Sequence, residues 1–131
     1  MLSCSHENKI TRKDANFMKY SKLFSPIKIG SITIKNRFAM APMGPLGLAD
    51  ANGGWNQRGI DYYVERAKGG TGLIITGVTF FDQVVEKQDP STVPNPLYKP
   101  VNFVKTSREM TEQIMHMEVK SFYSYQEDLV V

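Results

Sequence analysis

Cysteine is almost missing from this chain: Cys4 is the only one in 131 residues. No internal disulfide can form and no set of thiolates exists for zinc or iron-sulfur chemistry, so a reducing, cytoplasmic setting is the expectation. Histidine is nearly as scarce. His6 lies in the N-terminal leader and His116 near the chain end, and both read as surface histidines, not as metal ligands or partners of a nucleophile. No stretch approaches the ~18 apolar residues of a membrane helix, and residues 1–17 (MLSCSHENKITRKDANF) have no apolar core that would make a secretory signal. Excess charge of one sign is also lacking. The net +3 arises within the first 22 residues, five Lys/Arg against Glu7 and Asp14, and from Leu23 onward the chain is formally neutral. Phosphate backbones need a patch of several cations, so nucleic acid is a poor candidate partner. Glycine is absent outside the window from Gly30 to Gly77, which holds all ten. What remains, 41% hydrophobic and 22% charged residues, is the composition of an ordinary globular protein long enough for one modest domain.

The polar residues 1–17 carry no apolar periodicity and read as a disordered leader, with Met18 as the expected biological start. Ile27 and Ile29 alternate with Lys28, and Ile32 and Ile34 alternate with Thr33, on either side of Gly30-Ser31; this predicts a β-hairpin. Phe38 to Met43 (FAMAPM) and Gly72 to Val78 (GLIITGV) are continuous apolar runs, the pattern of strands buried on both faces of a parallel sheet. Between them a Gly/Pro/Asn-rich loop over 44–56 precedes a helix over Gln57 to Lys68, with Ile60, Tyr63, Val64 and Ala67 on one face and Gly69-Gly70 as its stop. Prolines at 90, 94, 96 and 100 predict an irregular excursion over Thr79 to Pro100. A second helix is expected over Val101 to Ile114, burying Val104, Met110 and Ile114, with Thr106 and Ser107 as caps or solvent-facing polars. This order describes βαβ units of an α/β protein. Two strands and two helices cannot close a barrel, and a (β/α)8 barrel takes ~250 residues, so about two of its eight units are present.

Few side chains suggest chemistry. Gly44-Pro45-Leu46-Gly47-Leu48 lacks both the spacing of a dinucleotide fingerprint and the Lys-Ser/Thr of a P-loop. Asp61, Glu65 and Arg66 have the spacing of a solvated helix face, not of an acid-base pair. Trp55 and the adjacent Tyr62 and Tyr63 read as packing residues, since one helix face cannot present neighbouring residues as a stacking platform. No catalytic residue and no metal ligand is assigned.

Several motifs in order do rise above background: Leu23-Phe24-Ser25-Pro26, then Asn36-Arg37-Phe38-Ala39-Met40-Ala41-Pro42-Met43 with its Gly-rich loop, then Tyr62-Tyr63-Val64-Glu65-Arg66-Ala67, then Gly72-Leu73-Ile74-Ile75-Thr76-Gly77. Over residues 20–114 the chain resembles the N-terminal part of the old yellow enzyme family of FMN-dependent oxidoreductases, and APMGPLG with NQRGIDYYVERAKGGTGLIITG is most similar to its 2-enoate reductase branch. The resemblance implies the N-terminal fragment of a (β/α)8 TIM barrel over residues 18–114, with the hairpin closing the barrel bottom. It also implies FMN-binding positions at the carboxyl ends of the strands: Ala41, Pro42, Met43 and Gly44 at the first, Gly77 and Val78 at the second. Many relatives carry Thr or Cys after the Pro-Met pair; Gly44 has no side chain there, which bears on tuning the flavin and not on binding it.

The resemblance breaks after Ile114. The family continues into a strand of the type His-Ala-Tyr-Gly-Ser-Lys-Ile-Phe-Leu, whereas this chain reads Met115-His116-Met117-Glu118-Val119-Lys120-Ser121-Phe122-Tyr123. Back-translated, the codons for residues 114–119 contain, in the next frame, GCA-YAT-GGA-RGT, which encodes Ala, Tyr or His, Gly, then Ser or Gly. Residues 115–131 are therefore expected to be an out-of-frame tail, and the coding DNA decides this. The competing expectation is a C-terminal helix with Glu118, Glu127 and Asp128 on its solvated face.

For the intact family member the resemblance implies transfer of hydride from NADH through FMN to the C=C bond of an α,β-unsaturated carboxylate. The carbonyl-binding, proton-donating and phosphate-holding residues belong to later strands, and the iron-sulfur cluster and FAD of the enoate reductase branch to regions outside this chain. The 131-residue chain alone is expected to be inactive with weak or no FMN affinity. The alternative is a small α/β binding or subunit protein that pairs its exposed strands with a partner.

Overall fold

The computed structural model describes residues 19–44, 46–80 and 91–126. The leader with Cys4 and His6, part of the expected excursion (81–90), and Glu127 and Asp128 lie outside them. A single helical turn, α1 (Ser21–Phe24), is followed by β1 (Ile27–Ile29) and β2 (Ile32–Ile34), then β3 (Ala39–Met40), α2 (Gln57–Lys68), β4 (Leu73–Phe80), α3 (Pro100–Met115) and β5 (Lys120–Gln126).

β1 and β2 form the expected antiparallel hairpin, Ile27 opposite Ile34 and Ile29 opposite Ile32. Gly30 takes φ +58° at its turn, a left-handed conformation that glycine adopts without steric cost. The second sheet is parallel, in the order β3-β4-β5, with Ala39 opposite Leu73 and Leu73 opposite Lys120. Arg37 N–H donates to Leu23 C=O at 2.9 Å, tying α1 to the start of β3.

The core lies between this sheet and the two longer helices. Met40 and Ile74 of the sheet pack with Ile60, Tyr63, Val64 and Ala67 of α2 and with Met110 and Ile114 of α3. α2 occupies the expected span and buries the expected face. Its N-cap is Asn56, whose Oδ1 accepts the Gly59 N–H at 2.8 Å while its Nδ2 donates to the carbonyls of Gly47 and Ala49. A cap of this kind stabilises a helix by about 1 kcal/mol, and here it also anchors the preceding loop.

Four expectations are corrected. β3 is two residues long and does not run from 38 to 43: Pro42 has no N–H to give a ladder, and Ala41 to Gly44 are exposed. β4 alternates rather than being buried on both faces, because both helices cover one face; Ile74, Thr76 and Thr79 are buried, and Leu73, Ile75, Val78 and Phe80 half-buried. β4 also extends through Phe80, whose N–H donates to Pro94 C=O, so Thr79 belongs to the strand and not to the excursion. In α3 the buried stripe is Phe103, Ser107, Met110 and Ile114, leaving Val104 62% exposed. Steps of four, three and four residues keep that stripe on one helical face, and Val104 sits about 100° away from Phe103.

From His116 to Gln126 the chain does not continue as a helix. Glu118 takes φ +58°, and Lys120–Gln126 runs parallel to β4 as a third strand. Phe122, Tyr123 and Tyr125 are strand-forming residues, and the free edge of β4 supplies the hydrogen-bond partners. Among the described residues, no helix is long and apolar enough to cross a membrane.

Candidate functional site

Parallel strands present their carboxyl ends on one side of a sheet, and the backbone there is held by the ladder below it. Ala41, Pro42, Met43 and Gly44 follow the end of β3 and are exposed, Met43 by 50%. Gly77 lies beside them near the end of β4, and the space its side chain would take is filled: a Cβ there would overlap the Met43 carbonyl oxygen and stand 3.1 Å from Gly44 Cα. Glycine at 77 is therefore what lets the two strand ends close on each other. Gly44 differs, since a Cβ on it would meet nothing within 4 Å.

The ladder slips at this point. Ile75 pairs with Phe122 and Val78 with Ser124, so Thr76 and Gly77 together oppose one residue of β5, a bulge that takes amides out of regular pairing. Gly77 N–H donates instead to the phenolic oxygen of Tyr63 at 2.8 Å. Tyr63 is fully buried on α2, and its ring meets Trp55 and Tyr62 edge to face, with centroids 5.4 and 5.1 Å away. Burial raises its hydroxyl pKa above the ordinary 10.0, outweighing the lowering effect of the Gly77 hydrogen bond, so the group is a neutral acceptor at ordinary pH.

The structure thus brings Met43, Gly44 and Gly77 together, with Val78 next along β4 and half-buried. None of the six expected residues carries a charge. The rim is therefore uncharged, held by the ladder below it, and unsuited to proton transfer. Tyr63 was not anticipated as part of it. The available signal is tyrosine in place of phenylalanine at a core position, because a buried hydroxyl needs a hydrogen-bond partner.

The loop leading from this rim to α2 is rigidly tied. Asp50 Oδ1 accepts the N–H groups of Asn52 and Gly54 at 2.8 and 2.9 Å, and Oδ2 accepts Asn102 Nδ2 of α3 at 2.8 Å. Trp55 N–H donates to Thr106 Oγ1, so Thr106 faces the loop and not solvent. Burial pushes the Asp50 carboxyl up, but the hydrogen bonds from Asn102, Gly54 and Asn52 and the charge of Lys99 outweigh it, leaving its pKa below the ordinary 3.8. A carboxylate depressed in the folded state adds stability above its unfolded pKa and loses it as pH falls through the folded value. Acid titration to below about pH 3.8 is accordingly expected to loosen the contact between loop and α3, and Asp50→Asn to flatten that part of the profile, as read by Trp55 fluorescence.

The remaining polar candidates stand apart from the rim. Asp61 accepts from Gln57 and Glu65 pairs with Lys68 on the exposed face of α2, and His116 is the exposed C-cap of α3. No group of three or more His, Cys, Asp or Glu side chains that could hold a metal occurs among the described residues.

Residues 22–122 match the NADH:flavin oxidoreductase / NADH oxidase family. The chain is 51% identical over 104 residues to a cinnamate reductase of Clostridium sporogenes, covering 79% of this chain and 16% of that protein. It is 52% identical over 56 residues to an NADH oxidase of Thermoanaerobacter brockii, covering 43% of this chain and 8% of that one. Among solved structures, the old yellow enzyme homologue of Zymomonas mobilis superimposes with a TM-score of 0.64 at 27% identity, over 79% of this chain and 27% of its own. A 2-naphthoyl-CoA reductase gives 0.67 at 26% identity, over 81% and 16%. The chain therefore spans 16% or less of the length of these two curated relatives, and its fold is that of an N-terminal portion of the old yellow enzyme barrel. Since the family match runs through the hairpin, both long helices and every residue of the rim, the chain belongs to the NADH:flavin oxidoreductase / NADH oxidase family, that of the old yellow enzymes, and is close to cinnamate reductase.

Proposed function

We propose that this chain forms the first flavin-facing strand ends of an FMN-dependent, NADH-linked reductase acting on the C=C bond of α,β-unsaturated carboxylates. The observation that carries the reading is the 51% identity to a cinnamate reductase over 79% of the chain. The rim supports it: an uncharged edge made by Ala41, Pro42, Met43, Gly44, Gly77 and Val78, with glycine where the two strand ends approach each other most closely, fits the polar edge of a flavin ring. A bound flavin supplies hydride acceptance and donation. The residues of this chain would hold and orient it: strand-end backbone groups left free by the ladder would meet its edge, while the Met43 and Val78 side chains would offer apolar contact. These six residues contribute no proton donor and no charge of their own to hold a phosphate. The chain on its own accordingly binds FMN weakly and lacks reductase activity.

The test is to express the 131-residue chain, desalt it and record the flavin spectrum and NADH oxidation, then titrate FMN while following backbone amides by NMR. A colourless, inactive protein is expected, with FMN shifting the amides of Ala41, Met43, Gly44, Gly77 and Val78 first. A stoichiometric yellow protein that oxidises NADH overturns the inactivity; shifts confined to other residues, or none, overturn the flavin site.

A second reading, a binding or subunit protein without catalysis, draws on the sheet. β3 and β5 are edge strands of the described sheet, each paired on one side by β4, and unpaired edges invite another chain. A monodisperse oligomer with cooperative unfolding favours it.

A further inference from the structure

We infer that Tyr63 is a positioning residue for the strand-end rim: its hydroxyl takes the place of a strand carbonyl for Gly77 and so sets where Gly77 and the Met43-Gly44 segment meet a ligand. The inference rests on the flavin reading only for the identity of that ligand. Its structural half rests on three independent features of the geometry.

The first is the ladder. Between Ile75 and Val78 the pairing with β5 gains one residue on β4, and regular pairing resumes at Val78 with Ser124. An amide released from pairing inside a protein is costly unless another acceptor is found. The second is the acceptor itself. Gly77 N–H reaches the Tyr63 hydroxyl at 2.8 Å, across fourteen residues of sequence and out of contact with solvent. The side chain bearing it is fully buried and held by edge-to-face contacts with Trp55 and Tyr62, so the oxygen has little freedom to follow a moving strand. The third is the crowding on the far side of Gly77. The space for a Cβ is occupied by the Met43 carbonyl, with Gly44 Cα next to it. Displacing Gly77 therefore displaces the Met43-Gly44 backbone, and the two strand ends move together. A phenylalanine at 63 would fill the same space and hold neither.

The assignment predicts local consequences. In the wild-type chain the Gly77 amide, although outside the regular ladder, should exchange with deuterium as slowly as the ladder amides of β4. In Tyr63→Phe, which keeps the ring, Gly77 exchange should accelerate by at least about tenfold, with NMR shifts at Met43, Gly44 and Val78 and little change at Leu73 and Ile74 at the opposite end of the strand. Val64→Ala, a neighbouring core substitution without a polar contact, serves as the control for simple destabilisation. FMN titrated into the three chains should show a response at the rim about tenfold weaker for Tyr63→Phe and unchanged for Val64→Ala. A rapidly exchanging Gly77 amide in the wild type overturns the assignment without reference to any variant. So does a Tyr63→Phe chain whose exchange and FMN response match those of Val64→Ala, because Tyr63 is then ordinary core. If FMN shifts nothing in the wild type while Tyr63→Phe still frees Gly77 and moves Met43 and Gly44, the flavin reading fails and the positioning role stands.

Discussion

Replacing Trp55 with alanine is expected to lower the stability of the folded chain by about 3–5 kcal/mol, the range for truncating a large buried aromatic. Trp55 is 3% exposed, lies in the main cluster with Leu48, Ile60 and Tyr63, and meets the Tyr63 ring edge to face at 5.4 Å and 89°. It joins the rim loop to both helices, since its backbone N–H is bonded to Thr106 of α3. Among the described residues the buried indole Nε1 has no hydrogen-bond partner, so the side-chain contribution they show is packing. Trp55→Phe should therefore cost much less than Trp55→Ala, because it retains a ring against Tyr63 and removes an unsatisfied N–H. A small domain has roughly 5–15 kcal/mol in total, so the alanine variant is expected to lose most of its urea transition and its near-ultraviolet circular dichroism. A Trp55→Phe chain as unstable as Trp55→Ala would show that the indole nitrogen has a partner after all.

The second large effect is expected at Gly77. A single methyl there would overlap the Met43 carbonyl oxygen, and β4 cannot step away because it is the central strand, paired on both sides. Overpacking against backbone costs about 1–3 kcal/mol. Gly77→Ala should fall at the upper end of that range, since the displaced strand also carries the amide held by Tyr63. Gly44→Ala is the internal comparison. It adds the same methyl to the same rim in open space, and its stability is expected to stay within about 0.5 kcal/mol of wild type. Urea midpoints of the two variants check the contrast, and equal midpoints would mean that the strand ends are not in contact at Gly77.

Part of this architecture is legible because it depends on residues close together in sequence. The Gly-Ser turn between alternating isoleucines specifies the hairpin, and Asn56 with Gly69-Gly70 brackets α2 at the expected residues. The strand-end residues Met43, Gly44 and Gly77 come together because parallel pairing of β3 with β4 places their carboxyl ends on one side. Helix and strand periodicity resolves less where a position could face either way. Val104 and Ser107 both suit a helix, and only packing against the core shows that the serine is inside and the valine outside. β5 is a similar case. Its residues have a strong strand preference, but a helix competes with a strand until the open edge of β4 is present to pair with it.

By itself, then, the amino-acid sequence determined the α/β class, the hairpin, the two long helices and the family likeness. Each of these follows from local periodicity, turn chemistry or motif order. The tertiary structure alone decided that β3 stops at Met40, that β4 carries a bulge, and that the Gly77 amide is taken by a tyrosine hydroxyl fourteen residues away. It also decided that the rim loop is fastened to α3 through Asp50 with Asn102 and Trp55 with Thr106, contacts that cross about fifty residues of chain. A buried donor requires an acceptor at hydrogen-bond distance, and which residue supplies it depends on the packing of distant segments, which no local pattern encodes.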